Sequence, residues 1–221
     1  MMKLSNETVS VLKNFSTINQ NLVIKSGSTI TTMSAMKNIV AKADVKEDFP
    51  QDFAIYDLNE FLSVISLFTN PELEFKDNFV IVTGEGSPTR ARYFFSDPSV
   101  VTTPTKPITM PECEVKLNLS SDTLNEITKG ASVIGAPDLA LESGKLKATD
   151  KKNETANDFE MDLEVESGSD NYKFWFKVEN LKLMPNSYEV QISSKNISHF
   201  KNSTGDVEYF IALEPESTYN A

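Results

Sequence analysis

Between Pro98 and Pro111 the chain reads PSVVTTPTKPITMP, which places four of its ten prolines in 14 residues without a glycine. Proline fixes φ and removes a backbone donor, so such a stretch is extended, stiff and excluded from the middle of a sheet. It stands almost at the centre of a chain of 221 residues. That is the place of a connector between two halves, each of roughly 100 residues, a common domain size. The expected division is a first domain over residues 1–99, a linker over 100–112 and a second domain over 113–221.

The flanks match. LSNETVSVLKNFSTI, from Leu4, resembles LSSDTLNEITKGASV, from Leu119, at a constant offset of 115. Val9, Leu12 and Ile18 fall on one helical face with Phe15 between them, and Leu124, Ile127, Ala131 and Ile134 repeat the pattern. Ser5 and Ser120 read as N-caps, with Glu7 and Asp122 in the first turn. Each helix leads to a short apolar run and a Ser-Gly turn, at Ser26-Gly27 and Ser143-Gly144. FAIYDLNEFLSVI, from Phe53, then resembles KFWFKVENLKLMP, from Lys173. Each reads as a strand running into a helix, with Asp57 and Glu60 as a capping pair in the first. Breakers follow, Asn70-Pro71 and Pro185-Asn186. Three strands close each half: 73–76, 78–82 and 90–96, then 188–193, 197–201 and 207–213. Each half therefore reads β-α-β-β-β-β-α-β-β-β. The class is α+β, two similar domains with two helices apiece packed on antiparallel sheets.

Composition narrows the function. Lys and Arg total 21 against 32 Asp and Glu, a net charge of −11, and only Arg90 and Arg92 are arginine. An acidic exterior repels phosphate, so any contact with DNA is confined to a small, locally basic surface. Cys113 is the single cysteine, which excludes an intramolecular disulfide and a cysteine zinc cluster. No apolar run spans a bilayer, and MMKLSNETVS lacks a signal-peptide core. The expectation is a soluble intracellular protein without a membrane partner. Six Asn-x-Ser/Thr sequons, the first at Asn6, are then compositional.

The opening Met2-Lys3-Leu4-Ser5, the run Leu12-Lys13-Asn14-Phe15 with Thr17-Ile18-Asn19, the segment Ala54-Ile55-Tyr56-Asp57-Leu58-Asn59 and the ending Ile211-Ala212-Leu213-Glu214 with Ser217-Thr218 resemble the DNA sliding clamps of T-even-like bacteriophages. Val115-Lys116-Leu117 onward is also similar to the eukaryotic proliferating-cell clamp. The resemblance implies a homotrimeric ring of pseudo-sixfold symmetry. Twelve helices would line a channel for double-stranded DNA, with the sheets outside and partners docking on one face. It implies a processivity factor for the replicative DNA polymerase, placed on DNA by a clamp loader. Late-transcription factors are further candidate partners, and the host cytoplasm is the setting.

The residues bear on each part of that expectation. A clamp retains DNA by topology and needs only sequence-blind phosphate contacts, for which the hydrated point charge of lysine is suited. Lys13, Lys129 and Lys182 stand on polar helix faces, while the helix from Asp57 has no base. The resemblance places partner docking at the linker and the C-terminal strand, hence at Ile108, Met110, Phe210, Leu213 and Pro215. DFEMDLEVE, residues 158–166, alternates as one strand, with Glu160, Asp162 and Glu164 outward and Phe159, Met161, Leu163 and Val165 inward. In the clamp topology this acidic edge meets Arg90 and Arg92 of a neighbouring subunit. Carboxylates spaced along a strand do not converge on a metal, and no metal or other cofactor is expected. His199, without a carboxylate beside it in sequence, Cys113 without a base, and Gly84-x-Gly86 compose no catalytic or phosphate-binding motif, so an enzyme is not expected. The competing reading is a structural β-rich virion protein.

Overall fold

The structure is a computed structural model that describes residues 1–104 and 108–220. Thr105, Lys106 and Pro107 of the linker and the terminal Ala221 lie outside the described residues. The chain divides into two compact units, Met1–Lys106 and Pro107–Ala221.

The first unit runs β1 (Met2–Lys3), α1 (Asn6–Ile18), β2 (Leu22–Ile24), β3 (Gly27–Met33), β4 (Ile39–Phe49), β5 (Phe53–Ile55), α2 (Leu58–Ser66), β6 (Pro71–Phe75), β7 (Phe79–Gly84) and β8 (Arg90–Phe94). This is the expected order. Strands β1, β6, β7 and β8 form an antiparallel sheet in that order, β3 and β4 pair as a hairpin, and β2 pairs with β5. The caps are local and behave as read. Ser5 accepts from the Thr8 N–H, and the Asp57 carboxylate accepts from Asn59 and Glu60. Val11, rather than Val9, joins Leu12, Phe15 and Ile18 in the core, because positions 11, 12, 15 and 18 form the tighter stripe at 3.6 residues per turn. Phe49, Phe53, Phe75 and Phe95 build an aromatic cluster, closest at 4.9 Å between the rings of Phe53 and Phe95.

One carboxylate is buried at the start of α1. Glu47, on β4 and 7% exposed, accepts from the Ser5 N–H and the Thr8 hydroxyl. Burial pushes its carboxyl up, but the bonds from Thr8 and Ser5 outweigh that and hold it below the usual carboxylate range.

The second unit runs β9 (Val115–Leu119), α3 (Ser121–Ile134), β10 (Asp138–Glu142), β11 (Lys145–Thr149), β12 (Phe159–Asp162), β13 (Val165–Ser167), β14 (Tyr172–Lys177), a 3-10 turn (Val178–Asn180), β15 (Tyr188–Ser193), β16 (Ile197–Asn202), β17 (Val207–Ala212) and β18 (Thr218–Tyr219). Strands β12, β11, β10, β14 and β18 form one sheet; β13, β9, β15, β16 and β17 pair in that order in another. Helix α3 is capped by Ser120, buries Leu124, Ile127 and Ala131, and ends at Gly135 in the left-handed region.

Two expectations fail here. The segment after Phe176 is not a helix. It makes one 3-10 turn and continues without regular structure to Pro185, where two buried tyrosines claim the backbone of Met184. The Met184 N–H donates to the Tyr209 hydroxyl at 3.2 Å, and the Tyr188 hydroxyl donates to the Met184 carbonyl at 2.6 Å. Burial pushes both phenols up, Tyr209 to about 12. Pro185 also disfavours a helical residue before it. The chain thus has three α-helices among the described residues, not four. Residues 158–166, in turn, are not one strand. The Leu163 N–H donates to the Gly144 carbonyl at 2.7 Å, and there the chain leaves the edge of β11 to pair with β9.

Candidate functional site

The helix faces come first. Lys13 is exposed on α1 among Asn6, Ser10 and Thr17, and Lys129 is exposed on α3 near Asn125, Glu126 and Ser132. Lys182 is not helical: it follows the 3-10 turn, is half-buried, and its N–H donates to the Asn180 carbonyl at 2.9 Å. Helix α2 exposes Asn59, Glu60, Ser63 and Ser66 and no base. The hydroxyls on these faces turn back on their own helices. Ser10 donates to the Asn6 carbonyl at 2.8 Å, Ser63 to Asn59 at 2.7 Å and Thr128 to Leu124 at 2.7 Å. Such a face offers isolated charges and few unsatisfied donors.

The sheet edges come next. Strand β8 is the outer strand of its sheet, and Arg90, Arg92 and Phe94 are exposed on one side of it. The Arg92 guanidinium stands 5.9 Å over the ring of Phe79, which lies 5.3 Å from that of Phe94. Strand β12 is likewise an outer strand, with Glu160 and Asp162 exposed; Glu164 is exposed in the break after it. The acids are not vacant. Lys145 lies 3.3 Å from Glu160 and 3.9 Å from Asp162, and Lys147 lies 2.7 Å from Asp158. Phe159 is half-buried beneath α3 at Gly130.

The C-terminal strand is the third element. Ile108 and Met110 are half-buried, and Pro215 is exposed. Phe210 and Leu213 do not share a surface. The alternation of β17 buries Tyr209 and Ile211, Leu213 continues that side at 6% exposure, and Phe210 is half-buried on the other. Phe210 stacks on His199, with rings 4.5 Å apart and 9° from parallel. His199 Nε2 lies 2.8 Å from Glu208 Oε2. Sequence reading found no carboxylate beside His199, because Glu208 reaches it only through the register that pairs His199 with Phe210. The β16–β17 hairpin alternation was the signal available.

Burial pushes the Cys113 thiol up, away from the reactive thiolate. Among the described residues no three His, Cys, Asp or Glu side chains group to hold a metal ion, and no helix is long and apolar enough to cross a membrane. An apolar void of about 30 Å³ under α3, lined by residues including Leu124, Ile127, Leu146 and Phe176, has room for about one water.

By fold the chain is a DNA clamp. It superposes with a TM-score of 0.72 at 14% identity on the A. fulgidus PCNA solved with the C-terminal region of FEN-1, covering 99% of this chain and 100% of that one. The Proliferating Cellular Nuclear Antigen of Entamoeba histolytica gives 0.68 at 15% identity over 94% of each chain. Sequence carries the assignment further. Residues 4–92 match the family described as DNA polymerase processivity factor, and residues 114–215 match the C-terminal domain of the gp45 sliding clamp. The sliding clamp of Vibrio phage KVP40 is 35% identical over 96% of this chain and 99% of its own length. That of Escherichia phage RB69 is 28% identical over 99% of this chain and 100% of its own. The chain belongs to the sliding-clamp family of phage DNA polymerase processivity factors. It is a non-enzymatic factor, and the virion reading is set aside. Membership implies ring assembly around DNA and the binding of polymerase and other partners.

Proposed function

We propose that three copies of the chain close into a ring that holds duplex DNA by topology and slides on it without reading sequence. The observation that carries this is the chemistry of the helix faces. Lys13 stands among hydroxyls already bonded to their own helix carbonyls, and Lys129 stands beside Glu126, so neither face concentrates positive charge. Such a surface meets phosphate weakly, through a few screened contacts, and finds no base edge to grip. With no fourth helix among the described residues, α1, α2 and α3 of three copies supply about nine helices to the channel in place of twelve.

Ring closure is assigned to β8 of one copy and β12 of the next. Both are outer strands, and an unpaired edge is a template for another strand. Arg90 and Arg92 face Glu160, Asp162 and Glu164 across it, in competition with Lys145 for the first two acids. Phe94 supplies the adhesive surface.

The replicative polymerase docks through a short apolar segment on Ile108, Met110, Phe210 and Pro215, with Leu213 beneath as support. A clamp loader places the ring on DNA in the cytoplasm of the infected bacterium, and late-transcription factors share the docking surface. Primer extension on a long single-primed template tests the whole reading. Addition of the chain with loader and ATP lengthens products per binding event, and no lengthening at any loader concentration contradicts it.

A further inference from the structure

A dense ionic arrangement gathers on β14 of the second unit, on neither the α3 face nor the β12 edge. Strand β14 presents Lys173, Trp175 and Lys177 outward, while Tyr172, Phe174 and Phe176 are buried behind them. Trp175, the only tryptophan of the chain, has Lys173 Nζ 5.0 Å and Lys151 Nζ 5.9 Å from its ring centroid. Lys151, from the loop after β11, has a side chain only 11% exposed. It is set in place by Asp138, a buried carboxylate that accepts from the Lys151 N–H at 3.1 Å and pairs with Lys177 at 2.5 Å. In a chain of net charge −11, two lysines thus stand over one indole and a third, Lys177, lies on the same face of β14.

Residues 214–220 cover this edge. Lys151 Nζ lies 3.0 Å from a carboxylate oxygen of Glu214 and 3.0 Å from one of Glu216. Burial draws the Lys151 ammonium down, but its bonds to the two glutamates outweigh that and hold it up. The Glu214 N–H donates to the Trp175 carbonyl at 2.8 Å, and the Trp175 N–H donates to the Ser217 hydroxyl at 2.9 Å. Only two residue pairs of true ladder follow, Lys173 with Thr218 and Tyr172 with Tyr219. Pro215, Glu216, Thr218 and Asn220 are exposed, so the segment buries little apolar surface. A strand held by ion pairs and a few edge hydrogen bonds opens at low cost relative to the core. An opened β14 edge presents backbone donors and acceptors to an extended peptide.

We propose that the β14 edge, with Trp175, Lys151 and Lys177, is a docking site for an extended acidic segment of a partner protein, and that residues 214–220 are its resident occupant. The resident defines the chemistry that fits: carboxylates at two alternate positions for Lys151, then a hydroxyl for the Trp175 N–H. The site shares Pro215 of the tail with the proposed polymerase surface, but its own determinants, Lys151, Trp175 and Lys177, lie outside that surface.

Because Trp175 is the lone indole, its fluorescence reports this site alone. The test uses the full chain carrying Glu214→Lys and Glu216→Lys, which repels the resident strand and leaves Lys151 and β14 intact. The probe is a synthetic peptide with the sequence of residues 214–220, EPESTYN; the control is KPKSTYN. The variant binds EPESTYN at least about tenfold more tightly than the wild type, with a change in Trp175 emission. It ignores KPKSTYN, and adding Lys151→Glu removes the binding. Hydrogen exchange of residues 172–175 and 218–220 is measured alongside. Three results overturn the proposal. In the first, the variant's β14 amides exchange freely but it binds no probe. In the second, the tail amides of the variant stay as protected as in the wild type. In the third, both peptides bind alike.

Discussion

Gly130 of α3 faces the ring of Phe159 on β12 so closely that a Cβ at residue 130 would stand 2.4 Å from Phe159 Cδ1. The glycine lies inside a 14-residue helix, where it costs roughly 1 kcal/mol relative to alanine. Close approach of the ring explains its presence. Gly130→Ala therefore destabilises the chain by about 1–2 kcal/mol despite the better helix former, since overpacking outweighs propensity. Combining it with Phe159→Leu recovers part of that loss. Urea unfolding of both variants checks the sign, and a stabilised single variant contradicts the packing described.

Glu47 gives a pH-dependent prediction. Its folded pKa is lowered, so its contribution is present above the unfolded value of about 4.3 and is lost as pH falls through the folded value. Glu47→Ala leaves the Ser5 N–H and the Thr8 hydroxyl without their acceptor and costs about 1–3 kcal/mol at pH 7. The gap between wild type and variant narrows as pH drops below about 4. Equilibrium unfolding at pH 7, 5 and 3.5 reads it directly.

Charge reversal at Arg90 and Arg92 tests the ring edge. Opposite charges across paired strands contribute about 0.2–1 kcal/mol each. Lys145 already holds Glu160 at 3.3 Å, which lowers what the arginines add. Arg90→Glu with Arg92→Glu weakens each interface by roughly 3- to 30-fold, less at high salt. Phe94→Asp, which removes a ring that is 60% exposed in the single chain, weakens it more. Sedimentation across salt concentrations ranks the three proteins.

The docking surface is tested at Phe210, because Leu213 is only 6% exposed and its replacement by a charge would disturb the core. Phe210→Asp reduces binding of a polymerase tail peptide by at least about tenfold while the ring still assembles. His199→Ala, which removes the stacked partner 4.5 Å away, gives a smaller loss. Peptide affinity measured by titration separates the two.

The elements legible in the sequence were those decided within a few residues. Ser5, Ser120 and Asp57 cap helices where their spacing says they should, and residues 188–193 form a strand with those bounds. The fourth helix failed because the Tyr188 hydroxyl, four residues on, and the Tyr209 hydroxyl, from a distant strand, both engage Met184. The acidic segment 158–166 alternates as one strand should, yet a bond from Leu163 to the Gly144 turn divides it between two sheets. At the candidate site, Lys13 and Lys129 were visible as polar positions on amphipathic helices. The side taken by Leu213, the Glu208 partner of His199 and the role of Lys151 depend on register and on a returning tail, which no local pattern carries.

Retention on closed DNA tests the central claim most directly. The chain is loaded onto a nicked circular duplex, separated from free protein, and half the sample is then cut once with a restriction enzyme. The account predicts that clamp stays on the circle and is lost from the linear form. Lys13→Glu with Lys129→Glu should speed the loss from linear DNA without abolishing retention on the circle. Equal retention on circular and linear duplex, or tight binding to a short oligonucleotide without loading, would contradict it.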